Sequence, residues 1–271
     1  MPSLQPLARW PLSDRRHIVG VFTDIDDTLT TEGVVPPATV LALADLRAAG
    51  LHVVPITGRP VGWSEPFARS WAVDAIVAEN GAVALSADAS APDGLRKRYQ
   101  QDSATRAANH SRMQQVGQRI LREVRGAMLS RDHDGRETDI AIDHSEFTHL
   151  PQERIDAVVT IMQSEGMTAT VSSIHINGWY GDHDKWHGAC WIVNALWGRN
   201  LAAEVDRWVY VGDSTNDQVM FERFAHSVGV ANIRRFEAQL QHRPRYITPS
   251  ERGAGFNEVA AALMAARAAA R

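Results

Sequence analysis

Hydrophobic and polar positions divide the chain into two rhythms. In the first, short apolar runs alternate with helical stretches. His17 to Phe22 reads as a buried strand, Ala38 to Ala49 as a helix opened by Pro36-Pro37 and closed by Gly50, and Leu51 to Ile56 as a second strand. A helix over Val61 to Trp71 and a short strand over Ala75 to Ala78 follow. This β-α-β-α-β order predicts a parallel sheet with helices on its faces. The same rhythm resumes with a helix over His187 to Leu196 and a strand over Trp208 to Val211. A helix over Asp217 to Phe224, strands over Ser227 to Val230 and Tyr246-Ile247, and a helix over Asn257 to Ala270 complete it.

Between these halves the pattern changes. Val83 to Leu85 suits a hairpin strand, 86–94 is small and polar, and 95–128 reads as helical, with Met113, Val116, Ile120, Leu121 and Val124 at helical spacing. Thr138 to Asp143 alternates as a half-exposed strand, Pro151 opens a helix through Met162, and Met167–Val171 and Ser173–Ile176 read as strands. The predicted organisation is a doubly wound α/β core over 15–82 and 183–271, an inserted α+β unit over 83–182, and an N-terminal extension over 1–14.

Composition narrows the classes. The 271 residues carry a net charge of −4, which leaves no electrostatic footprint for nucleic acid or anionic membrane. A single cysteine, Cys190, excludes an intrachain disulfide and a cysteine-rich zinc site. No run approaches the roughly 18 apolar residues of a membrane helix, and the start does not read as a signal peptide, so the expectation is a cytoplasmic protein with no protein partner indicated. Of 28 basic residues only Lys97 and Lys185 are lysines, which singles out each ammonium.

The chemistry gathers at predicted strand ends, the edge where open α/β sheets bind ligands. Asp24-Ile25-Asp26-Asp27-Thr28 follows the first strand, Thr57-Gly58-Arg59 the second, and Gly212-Asp213-Ser214-Thr215-Asn216-Asp217 the strand after the insert. Lys185 precedes a helix. Close carboxylates at a buried strand end repel each other, and a bound cation or nucleophile and acid/base chemistry are the usual reasons to keep them. With a hydroxyl and an ammonium for phosphate oxygens, the set is complete for phosphoryl transfer.

In these motifs and their order the chain resembles the haloacid dehalogenase superfamily of aspartyl-phosphate phosphatases. The insert, preceded by Glu79-Asn80-Gly81-Ala82, resembles the type IIB cap of Cof-like, sucrose-phosphate and mannosyl-3-phosphoglycerate phosphatases. The resemblance implies a Rossmann-like core and a Mg²⁺-dependent phosphomonoesterase acting on a small phosphorylated metabolite, with a sugar phosphate the leading substrate. It casts Asp24 as nucleophile and Asp26 as acid/base. Mg²⁺ would sit on Asp24, the Asp26 carbonyl, Asp213 and Asp217. Thr57, Gly58, Lys185 and Asn216 would hold the phosphate. The run Lys185-Trp186-His187-Gly188 departs from the family's usual Gly directly after Lys, and Asp27 stands where Gly is frequent. A phosphomutase with the same nucleophile and, further off, a receiver-like signalling domain are the alternatives.

Other signals read more plainly. Asp132-His133-Asp134-Gly135 is expected as a hairpin turn, and His183 and His187 as structural or surface residues. Trp63 and Trp179 suit packing better than a substrate pocket. Ser173, His175 and Asn177 share one face of a predicted strand and are candidate substrate contacts if that face looks onto the core. Arg59 and Asn80 are further candidates, Arg59 with pairing to Glu79 as its alternative.

Overall fold

The computed structural model describes residues 4–269. Residues 1–3 of the expected extension and Ala270 of the expected last helix lie outside the described residues. A six-stranded, all-parallel sheet forms the centre, in the order Gln5–Pro6, Tyr246–Ile247, His226–Gly229, Trp208–Gly212, Gly20–Thr23 and His52–Pro55. A parallel bridge from Ile56 to Val77 adds Ile76–Ala78 beside the last of these.

Alternation within the strands explains the three layers. Val21, Val53, Val209 and Val211 face one apolar cluster with Leu43, Leu46, Phe256 and Leu263 from the helices Pro37–Ala48 and Arg252–Ala268. Phe22, Val54, Trp208 and Tyr210 face the other, with Ile192, Val193, Met220 and Phe221 from Lys185–Trp197 and Gln218–Arg223. Both faces are covered, so the strands read as continuous apolar runs.

The segment before the first motif is part of this core. Gln5–Pro6 extends the sheet edge beside Tyr246–Ile247, and the buried Trp10 stacks on Tyr246 at 5.8 Å between centroids.

The inserted unit is a four-stranded antiparallel sheet in the order Met128–Leu129, Ile140–Asp143, His175–Trp179, Thr168–Val171. The helices Ser103–Glu123 and Gln152–Ser164 bury Met113, Ile120, Val158 and Met162 against Ile140, Ile142 and Ile176. The opposite face carries His175, Asn177 and Trp179. Where 95–128 was expected to be helical throughout, Leu95–Tyr99 is a strand paired with Val83–Ala87, which pairs in turn with Ile76–Ala78. Its Arg-Lys-Arg centre gives no apolar stripe, and pairing with a buried strand decides its form. Val83, Leu85 and Leu95 pack in the core cluster, so by packing this hairpin goes with the core rather than with the antiparallel unit.

The Ser173–Ile176 expectation shifts as well. Ser172 to Ile174 form the turn into the strand, which starts at His175. In the segment 132–135, a short helical turn over His133–Gly135 links two strands that pair antiparallel.

Candidate active site

Asp24 follows the strand Gly20–Thr23, and its N–H donates to the carbonyl of Val211 on the neighbouring strand (2.8 Å). Asp213 follows that neighbour, so the two carboxylates meet at the carboxyl edge of adjacent central strands. Lys185, almost fully buried at the start of its helix, donates from Nζ to Asp24 Oδ1 at 2.6 Å and to Asp217 Oδ1 at 2.7 Å. Asp184 caps that helix by accepting from the His187 N–H at 2.7 Å.

Lys185 reaches this point because its helix lies against the turn at Gly81. A Cβ built on Gly188 would lie 2.5 Å from Gly81 Cα, and one on Gly81, whose φ is +110°, would lie 2.2 Å from the Asp184 carbonyl oxygen. Gly188 thus provides the close approach, three residues after the lysine. Asp27 has φ of +54°, a left-handed conformation that favours glycine, and its carboxylate pairs with Arg252 at 3.1 Å.

Asp217 is fully engaged. Its Oδ1 accepts from Lys185 and from the Tyr210 hydroxyl, and its Oδ2 accepts from the N–H groups of Asp213 (2.9 Å) and Ser214 (3.1 Å). Ser214 and Asp217 form a capping box, which is why the loop turns Asp213 inward. Asp213 accepts from Asn232 Nδ2 at 3.0 Å and lies 3.4 Å from the Thr28 hydroxyl.

The three carboxylates of Asp24, Asp213 and Asp217 offer oxygens within 4.8 Å of one another, and all are buried. Burial pushes Asp24 up to about 8, with Asp217 and Asp26 adding to it, although the Lys185 ammonium pulls the other way. Burial, then Asp24 and Asp217, hold Asp213 well above the usual carboxylate range. For Lys185, burial opposes the charge, and Asp217 and Asp24 outweigh it, so its ammonium is held above the usual range. One ammonium serving this cluster leaves negative charge that suits a divalent cation.

Asp26 turns away from this cluster toward the cap. Arg59 Nε donates to both of its oxygens, at 2.9 and 3.0 Å. The same guanidinium pairs with Asp132 (3.2 Å) and Glu146 (2.8 Å) of the cap and lies 5.1 Å over the Trp63 ring. His175 is buried and its Nε2 is 2.9 Å from the other Glu146 oxygen. The side chains of Arg59 and Glu79 do not pair. Glu79 instead accepts from the N–H groups of Val61 and Glu137 at 3.0 Å and from Thr138.

Thr57 is fully buried and its Oγ1 accepts from the Arg59 N–H at 3.0 Å. The Gly58 carbonyl accepts from Arg136 (3.0 Å) and Asn177 (3.3 Å), both of the cap. Asn216 Oδ1 accepts from Ser214 Oγ at 2.8 Å. Asn80, at φ of +54°, lies 3.5 Å from Asp139 through its Nδ2. Asp24, Asp26, Gly58, Ser173, His175 and Asn177, with Asn216, line one cavity, and its volume of about 10 Å³ holds roughly one water. The face of His175 and Asn177 therefore looks onto the core, with the cap closed.

Tyr210, Glu146, Asp132, Arg136 and Asn232 join the site without having been singled out as candidates. Tyr210 alternates within an apolar strand and reads as core, and Asp132 reads as a turn residue. For Glu146, Arg136 and Asn232 no sequence signal exists, because only the fold brings them here.

Residues 21–175, more than half of the chain, match the haloacid dehalogenase-like hydrolase family. No functionally curated protein matches by sequence. Among solved structures, the chain is similar to a Thermoplasma acidophilum protein (15% identity, TM-score 0.69, covering 91% of this chain and 98% of that one). It is also similar to the sucrose-phosphatase of Synechocystis, solved with sucrose and phosphate (16% identity, TM-score 0.63, covering 91% and 98%). A protein described as a subclass IIB sugar phosphatase aligns at 16% identity and TM-score 0.61, covering 89% and 96%. At these identities the likeness is one of fold, over core and cap together. Among the described residues no helix is long and apolar enough to cross a membrane. On the sequence match, the chain belongs to the haloacid dehalogenase-like hydrolase family.

Proposed function

We propose that the protein is a phosphomonoesterase that hydrolyses a small phosphorylated metabolite, a sugar phosphate first among them, through a phosphoryl group carried on Asp24. The observation that carries this reading is Asp24 at the central strand end with the Lys185 ammonium 2.6 Å away. Phosphoryl transfer needs in-line placement and neutralised charge more than elaborate chemistry, and a carboxylate held beside an ammonium at the strand end suits that need.

The contacts support the following roles. Asp24 attacks phosphorus, and Lys185 and Thr57 face the phosphate oxygens. Asp26, on the cap side of Asp24, gives a proton to the departing oxygen and later takes one from water. Arg59 orients it. Asp24, the Asp26 carbonyl and Asp213 would hold Mg²⁺, with Asp217, whose oxygens are already occupied, fixing the loop and Lys185. Bound there, the cation supplies charge neutralisation at the phosphate. The closed cap excludes bulk water and makes polymers and folded phosphoproteins poor substrates. The similarity to a sucrose-phosphatase and a sugar phosphatase supports the substrate class.

The test is phosphate release from a panel of phosphorylated sugars, glycerates, nucleotides and cofactors, with and without Mg²⁺. Cation-dependent release from a few sugar phosphates, lost in Asp24→Asn, is the expected result. Isomerised substrate without free phosphate would make the protein a mutase instead.

A further inference from the structure

The three carboxylates at the strand ends are not equally free. Asp24 is engaged through Oδ1 by Lys185 at 2.6 Å, and Asp213 by Asn232 at 3.0 Å with the Thr28 hydroxyl at 3.4 Å. Asp217 accepts four hydrogen bonds, two on each oxygen. Lys185 (2.7 Å) and the Tyr210 hydroxyl donate to Oδ1, and the N–H groups of Asp213 (2.9 Å) and Ser214 (3.1 Å) to Oδ2. An ionised carboxylate has about four acceptor sites, so those of Asp217 are filled. Its carboxylate also occupies the space that a side chain at 212 would take. A Cβ built on Gly212 would lie 2.4 Å from Asp217 Oδ2 and 2.9 Å from Tyr210 Cε1.

Of these four donors, Tyr210 is the one that comes from within a strand. It is fully buried in Trp208–Gly212, its ring packed against Phe221 at 5.7 Å and Phe224 at 5.8 Å between centroids. Phenylalanine would serve that packing, and burying a phenol is costly without a partner. The hydroxyl has two: it donates to Asp217 and lies 3.4 Å from Lys185 Nζ. A ring held by aromatic neighbours thus fixes the acid and the ammonium relative to each other.

We infer, resting on the phosphomonoesterase reading and deepening it, that Tyr210 is a positioning residue: it turns Asp217 toward Lys185 and away from the cation, leaving the cation two carboxylates, Asp24 and Asp213. That count selects Mg²⁺ against Ca²⁺. Magnesium binds through one or two carboxylates and keeps several waters, whereas calcium takes roughly six to eight oxygens in flexible geometry. Oxygens of all three acids lie within 4.8 Å of one another, so Asp217 is near enough to join once it is released. Without the phenol, one acceptor site of Asp217 opens and a third carboxylate becomes available.

The experiment titrates chelator-treated full chain with Mg²⁺ or Ca²⁺ and reads the rise in Tm, which gives each cation's affinity without any substrate. Wild type, Tyr210→Phe, Asp217→Asn, the double variant and Asp213→Asn are compared. Tyr210→Phe is expected to raise the affinity for Ca²⁺ relative to Mg²⁺ by about three- to tenfold, the scale of one hydrogen bond to a charged group. In the Asp217→Asn background the same change is expected to leave that ratio within about twofold, because the phenol acts through Asp217. Asp217→Asn is expected to cost at least about tenfold less Mg²⁺ affinity than Asp213→Asn, which loses a direct ligand. This last comparison stands even if Tyr210→Phe fails to fold, which its cation-free Tm reports. A ratio unmoved by Tyr210→Phe, an equal shift in both backgrounds, equal losses in the two Asp variants, or a wild type that binds neither cation would overturn the inference. Phosphate release is measured separately: a wild type that binds Mg²⁺ with these preferences but hydrolyses no ester would leave Tyr210 in its role and remove the hydrolytic reading alone.

Discussion

Arg59 holds Asp26 through two nitrogens: Nε donates to both carboxylate oxygens, at 2.9 and 3.0 Å, and Nη2 lies 2.8 Å from Oδ1. Nη1 pairs with Asp132 and Nη2 also with Glu146, both of the cap, so the residue proposed as acid/base and the cap are joined through one guanidinium. Lysine has neither the planar fork nor the reach to replace it. Arg59→Lys is therefore expected to lower kcat by about ten- to a hundredfold, a part of what a positioned acid/base contributes. Steady-state kinetics checks this, and unaltered kcat would remove Arg59 from the site's working parts.

A second expectation concerns the cation. If Asp24 and Asp213 hold it, millimolar Mg²⁺ added to chelator-treated protein binds only the folded state. At about a hundred times its dissociation constant it stabilises by about 2.7 kcal/mol, or roughly 5–10 °C in Tm for a chain of this size. Asp213→Asn is expected to lose that shift. A wild-type Tm that ignores Mg²⁺ would count against the cation site.

The pH dependence of the cation-free protein carries a definite sign. Asp24 ionises near its ordinary 3.8 in the unfolded chain and near 8 in the folded one. Between those values the folded chain keeps a proton that the unfolded chain has released, so stability falls as pH rises through that window. Chelator-treated wild type is expected to lose several degrees of Tm from pH 5 to pH 8, and Asp24→Asn to show a flatter profile. Parallel profiles would contradict this.

Gly188 gives a packing test. Alanine there places a Cβ 2.5 Å from Gly81 Cα, backbone against backbone, so neither side can relax cheaply. Overpacking of this kind costs about 1–3 kcal/mol. The helix that carries Lys185 must also move, so phosphate binding is expected to weaken along with Tm. A variant with normal Tm and normal activity would show the contact to be slack.

Much of this architecture is legible in the residues themselves, and the parts that are not share a physical reason. The strands ending at Asp24 and Asp213 announce themselves because burial on both faces leaves only apolar residues before the acids. Gly188 could be read only as a departure from a familiar pattern until the approach of Gly81 gave it a purpose. Leu95–Tyr99 was masked because arginine and lysine on a hairpin at the sheet margin look like the exposed side of a helix. Glu146, Arg136 and Asn232 have no local signature, since each acts through a partner far away in sequence. Asp217 is legible as an acid at the right spacing, yet the same spacing from Ser214 makes a capping box, and only the contacts show that its oxygens are already used.

The most direct measurement is a rapid quench of the protein during turnover of its best ester, followed by mass analysis of the peptides. One phosphoryl group on the peptide containing Asp24, absent in Asp24→Asn, is the result expected from a nucleophile at that strand end. Undiminished phosphate release by Asp24→Asn, or a phosphoryl group found on another residue, would contradict it.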